Sequence, residues 1–94
     1  WNALSFTSSG NYPDDYNVHV STTTQDVAGC LSGELILAVD DEQWRESAGG
    51  EGIASREVDL SAYSGQTIYI GFHLVTTDPP GGSSLGIDNI KIFN

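Results

Sequence analysis

The chain predicts an all-β fold, a sandwich of two antiparallel sheets, from three observations. Apolar and polar residues alternate with a period of two from end to end, and helical periodicity of useful length appears nowhere. Clusters of Gly, Pro, Asn, Asp and Ser punctuate the alternating runs at short intervals. With no helix to cover a sheet, a second sheet must do so. The 94 residues suit one domain spanning 1–94, and 38% hydrophobic content suits one modest core.

The first run, residues 2–7, puts Leu4 and Phe6 on one face, and SSGNYPDD supplies turn residues. Tyr16, Val18 and Val20 alternate with Asn17, His19 and Ser21 in the second strand. The polar TTTQDVAG segment reads as a connection. Residues 34–39 then stack Leu35, Leu37 and Val39 on one side and Ile36 and Ala38 on the other, so both faces are expected to be partly covered. DDEQWRESAGGEGIAS, with five acids and three glycines, reads as an exposed loop.

A fourth strand over 56–60 feeds the knuckle SAYSGQ, where Ser61 suits the cap of one helical turn and Gly65 its left-handed end. The fifth strand, from Gln66, carries Ile68, Ile70, Phe72 and Leu74 on one face and is expected to be central. After the breaker cluster TTDPPGGSS, the final strand LGIDNIKIF offers Leu85, Ile87, Ile90 and Ile92 to the core. Its alternation slips at Asp88–Asn89, as at a β-bulge.

Thirteen acidic residues against three basic ones give a net charge of -10, which repels nucleic acid and anionic bilayers. The same excess favours hard divalent cations such as Ca²⁺. The single cysteine, Cys30, excludes an intrachain disulfide and any CxxC motif, and reads as a small buried side chain. No apolar run reaches the length of a membrane span. The opening WNALSF reads as the inside of a strand without leader character. The expectation is a fragment of a longer polypeptide, poorly stable alone because its edges and one apolar face lie uncovered.

No GxSxG elbow is present, and the serines lie in turn clusters, so a serine hydrolase is disfavoured. His19 and His73 lack HxH or HxxxH spacing. Asp40, Asp41, Glu42, Glu46 and Glu51 lack the order of a calcium loop and read as solvated charge. Trp44 either stacks on a sugar ring or a partner's side chain, or folds back over a sheet edge. Asp88 stands in an apolar strand, where a buried carboxylate costs several kcal/mol unless paired. Either a bound Ca²⁺ offsets that cost, or Asp88 points outward and is solvated.

YNVHVSTTTQD, REVDLSAYSGQTIYIGFHLV and the closing LGIDNIKI resemble the cleaved adhesin domain, also described as the choice-of-anchor J domain. This module belongs to secreted and surface proteins of bacteria. The resemblance runs from about Leu4 to Ile92. It implies a jelly-roll sandwich, here lacking its N-terminal strands, with structural calcium and a non-catalytic role in binding host proteins or glycans. It further implies that Asp88, opening the family's D-[DN]-[IV] segment, is a calcium ligand. Asn89 stands where the family often has a second aspartate, and only Asp88 is carried over. Trp44, its neighbour Arg45 and the loop around Pro79 are the expected contact surface. The expected partners are a protein or glycan on a surface and the rest of the parent polypeptide, outside the cell or on a bacterial surface. Two alternatives stand beside this reading: a carbohydrate-binding module of a secreted hydrolase, and a structural subunit or spacer of a surface assembly.

Overall fold

A computed structural model describes residues 1–6, 14–42, 53–75 and 84–93. They form two three-stranded antiparallel sheets, so the sandwich predicted from the alternation is what the chain adopts. In the first sheet β1 (Asn2–Ser5) lies between β4 (Ala54–Ser55) and β6 (Leu85–Asp88). In the second, β2 (Tyr16–Ser21) lies between β3 (Glu34–Val39) and β5 (Tyr69–Leu74).

Period-two alternation decides which side chains face inward. Ala3 and Ser5 are buried from β1, and the register places Ile87 opposite Ala3 and Leu85 opposite Ser5. Across the sandwich β2 buries Tyr16, Val18 and Val20, with Leu37 and Phe72 opposite Val18 on its two neighbours. The central cluster is Ala3, Tyr16, Val18 and Val39, with Trp1, Leu37, Ile70, Phe72 and others packed round it. Trp1 meets the Phe72 ring edge-on at 5.3 Å. Removing each such Val side chain from water contributes about 1.5–3 kcal/mol. The central strands β1 and β2 therefore carry the fold.

Several expectations need correction. The fifth strand is an edge, because β2, whose inward residues are all buried, takes the centre. Among the described residues the predicted strand over 56–60 has no ladder of its own; pairing is at Ala54–Ser55, with Arg56 and Trp1 exchanging both backbone bonds at 2.8 and 2.9 Å. The last strand stops at Asp88 because Asn89 takes a left-handed φ of 54°, so the slip in the pattern is an end rather than a bulge. Ile90 and Ile92, expected in the core, are exposed. The bulge lies instead in β3, where Leu37 opposes Val18 and Leu35 opposes His19, leaving Ile36 as the extra residue. It turns Ile36 onto the core and Leu35 outward.

The TTTQDVAG connection closes into a short helix, α1 (Val27–Leu31), on the second sheet. Cys30 seats against Gly71 there; a Cβ at Gly71 would stand 2.8 Å from the sulfur. Its buried position agrees with the small-core reading. The knuckle is one 3-10 turn over Ser61–Tyr63, ended by Gly65 at φ 79° as its sequence predicts. Ser61 caps nothing: its N–H donates to Asp59 Oδ1, and this bond holds the Asp59 carboxyl below its ordinary range.

Candidate functional site

Three features of this frame bear on function, and the first is a buried polar clamp. After β3, Asp41 adopts a left-handed φ of 53° and donates its N–H to Asp15 Oδ1, while the Glu42 N–H donates to Asp14 O. This turn carries Glu42 inward, where it is fully buried, contrary to the exposed-loop expectation. Glu42 Oε2 accepts the Tyr16 hydroxyl at 2.6 Å and Arg56 Nε at 3.1 Å, and Oε1 accepts the second Arg56 nitrogen at 2.7 Å. Trp1 Nε1 donates to the Tyr16 oxygen at 3.2 Å.

Burial, then the bond to Glu42, pushes the Tyr16 hydroxyl up to about 12. The Glu42 bond likewise raises Arg56 above its ordinary value. Nearby, Ser5 Oγ donates to Asp14 Oδ2 at 2.6 Å and accepts the Asp14 N–H at 3.0 Å. These bonds tie the first sheet to the second through two buried carboxylates.

The second feature is the outer face of the first sheet. Asn2, Leu4 and Phe6 point away from the core, opposite Asp88, Gly86 and Ser84. The Phe6 ring lies over Gly86, where a Cβ would stand 2.8 Å from Cε2. With Ile53 these residues line an apolar groove bounded by Asn2 and Asp88, and Phe6 and Ile53 remain 53% and 60% exposed.

At the far end of β2 from the clamp lies the third feature, a polar cleft. Ser21, Thr22, Thr23, Ser32, Glu34 and Tyr63 line it. The Tyr63 hydroxyl, at an exposed position, donates to Glu34 Oε2, which raises the phenol above its ordinary value.

Of the residues singled out in the sequence, Asp88 is exposed at the end of β6, with Oδ1 accepting the Asn89 N–H at 2.7 Å. The burial argument for calcium at Asp88 therefore gives way to the solvated alternative. Among the described residues no three His, Cys, Asp or Glu side chains gather as metal ligands. Trp44, Arg45 and Pro79 lie outside the described residues. The His19 and His73 rings stand 6.4 Å apart on the second sheet, and His19 Nδ1 lies 3.2 Å from Gly33 O. No described helix is long and apolar enough to cross a membrane.

Sequence reasoning missed Glu42, Arg56 and Glu34. One signal for the clamp was present: Tyr16 occupies an inward position, and a buried phenol needs a partner. Nothing local announced which one. No protein-family model, no curated protein and no solved structure matches the chain.

Proposed function

We propose that this chain is a non-catalytic binding module of an extracellular or bacterial cell-surface protein. It takes the jelly-roll form of the cleaved adhesin domain and recognises a protein or glycan ligand on a surface. The observation that carries this reading is the groove on the outer face of the first sheet. A chain of net charge -10 gains nothing in solubility from leaving Phe6 and Ile53 more than half exposed beside Leu4. Such an apolar centre with a polar rim, here Asn2 and Asp88, is how protein interfaces are built. The groove suits an apolar side chain of a protein partner, and Trp44, Arg45 and Pro79 belong to the proposed contact surface.

Structural calcium belongs to the same proposal and rests on the resemblance. Ca²⁺ takes about six to eight oxygens, and Asp88 supplies one carboxylate, so the described residues alone do not build the site. If calcium binds the folded state, a hundredfold excess over its dissociation constant stabilises by about 3 kcal/mol. Chelation should then lower the melting temperature of the protein, and Asp88→Ala should remove that sensitivity.

The module reading itself is tested by surface plasmon resonance against a panel of extracellular matrix proteins. A ligand whose binding is lost in Phe6→Ser and Ile53→Ser, with melting temperatures unchanged, supports it. Unaltered binding by both variants would remove the groove from the contact surface.

A further inference from the structure

We infer that the cleft between the end of β2, the start of β3 and the 3-10 turn binds one ring of a neutral sugar. This rests on the binding-module reading and narrows it to a ligand class and a site separate from the apolar groove.

The cleft is built before any ligand arrives. Ser21 Oγ accepts the N–H groups of Thr23 and Thr24 at 3.2 and 3.1 Å, which fixes the turn presenting Thr22 and Thr23. Both threonines are exposed. On the facing wall Ser32 Oγ donates to Gly29 O at 2.9 Å, so its lone pairs are left to accept. The floor is backbone: a Cβ at Gly33 would stand 2.3 Å from Val20 O. At the lip the Tyr63 hydroxyl is held by Glu34 Oε2, which orients the phenol ring and leaves Glu34 Oε1 as an acceptor. A site whose groups are already fixed loses little freedom on binding.

The donor set selects the ligand. Hydroxyls that both donate and accept, beside a carboxylate and an aromatic ring, match a polyol that has vicinal hydroxyls and an apolar C–H face. Phosphorylated or sulfated ligands are disfavoured by Glu34 and by the net charge of -10. A cationic side chain is the competing occupant. It is less suited because hydroxyl-bearing side chains on the turn, the facing wall and the lip outnumber the one carboxylate. The volume of about 270 Å³ falls just below the range of roughly 300–1,000 Å³ for drug-sized ligands, which fits a single ring with its neighbours in solvent.

The test is a titration of the ¹⁵N-labelled protein, followed by NMR, with methyl glycosides of galactose, mannose, glucose and N-acetylglucosamine, and separately with Nα-acetyl-lysine amide. At least one glycoside should move the amides of Thr22, Thr23, Gly33 and Glu34 saturably. Tyr63→Ala should weaken that binding about tenfold, the loss of one aromatic contact. Tyr63→Phe, which keeps the ring, should stay within about threefold of the wild type. Silence of these amides toward every glycoside, or a salt-sensitive response to the lysine amide alone, overturns the inference. Equal binding by Tyr63→Ala and wild type also overturns it. If glycosides fail while Phe6→Ser still abolishes a protein ligand, the sugar cleft falls and the module stands.

Discussion

The two tyrosine–glutamate pairs at opposite ends of the second sheet, Tyr16 with Glu42 and Tyr63 with Glu34, use the same chemistry in different surroundings. Tyr16 and Glu42 are fully buried, and the carboxylate also accepts a forked pair of bonds from Arg56. Tyr63 is half-buried, Glu34 is exposed, and among the described residues the phenol is the one side chain hydrogen-bonded to that carboxylate. In the dry site every acceptor is committed, because an unpaired buried carboxylate would cost several kcal/mol. At the wet end water compensates an unmet lone pair, so an acceptor can be left for a ligand. Burial separates a clamp from a candidate binding group more sharply than residue identity does.

The largest effect is expected at the clamp. Arg56→Ala takes the forked guanidinium away from buried Glu42, and breaking a buried pair costs up to about 3–5 kcal/mol, here toward the lower end because the Arg56 side chain is 35% exposed. A domain of this size has roughly 5–15 kcal/mol in all, so urea denaturation should show the midpoint falling sharply. Arg56→Lys should recover part of the loss, since a lysine restores charge without the fork. A loss below about 1 kcal/mol in Arg56→Ala would make the clamp no stronger than a surface pair.

Tyr16 gives the next effect, and it depends on pH. Its folded value of about 12 exceeds the ordinary 10.0. The folded state therefore holds the proton where the unfolded chain has lost it. That contribution is fully present below pH 10 and is lost as pH rises toward about 12. Two units correspond to roughly 2–3 kcal/mol. Tyr16→Phe should be less stable than wild type by about 1–3 kcal/mol at neutral pH, and the difference should shrink between pH 10 and 12. A difference that stays constant across that window would place Tyr16 in a more hydrated site than the geometry gives it.

How much of this was legible in the sequence follows from the range of each signal. Alternation is local, so the inward faces of β2 and β5 could be read directly, as could the left-handed Gly65; in β1 the apolar pair Leu4 and Phe6 marks the outer face, and the small Ala3 and Ser5 are the buried ones. Which strand lies centrally depends on pairing partners far along the chain, and β5 has the strongest apolar stripe yet sits at an edge. Glu42 looked solvated because the four other acids and three glycines of its segment share no periodicity. Its burial is decided by a left-handed turn at Asp41 and by Arg56, fourteen residues away. Asp88 looked buried because Ile87 and Ile90 flank it, yet Asn89 turns the chain there and leaves the carboxylate exposed. The groove was half visible: Leu4 and Phe6 share a face by alternation, but Ile53 joins them only through the β1–β4 pairing.

The smallest effect is expected at the wet pair, and it sharpens the comparison most. Tyr63→Phe removes the hydroxyl that Glu34 accepts and keeps the ring, while Glu34→Gln keeps an acceptor and removes the charge. Because Glu34 is exposed, water replaces the lost bond in either variant. Each should therefore leave the urea midpoint of the protein close to that of the wild type, as surface substitutions usually do. The matched variant at the clamp, Glu42→Gln, puts a neutral amide against Arg56 with no water to compensate, so its midpoint in urea should fall well below that of Glu34→Gln. Equal losses at the two glutamates would mean that burial does not distinguish the pairs, and the assignment of one to the fold and the other to a ligand would fail together.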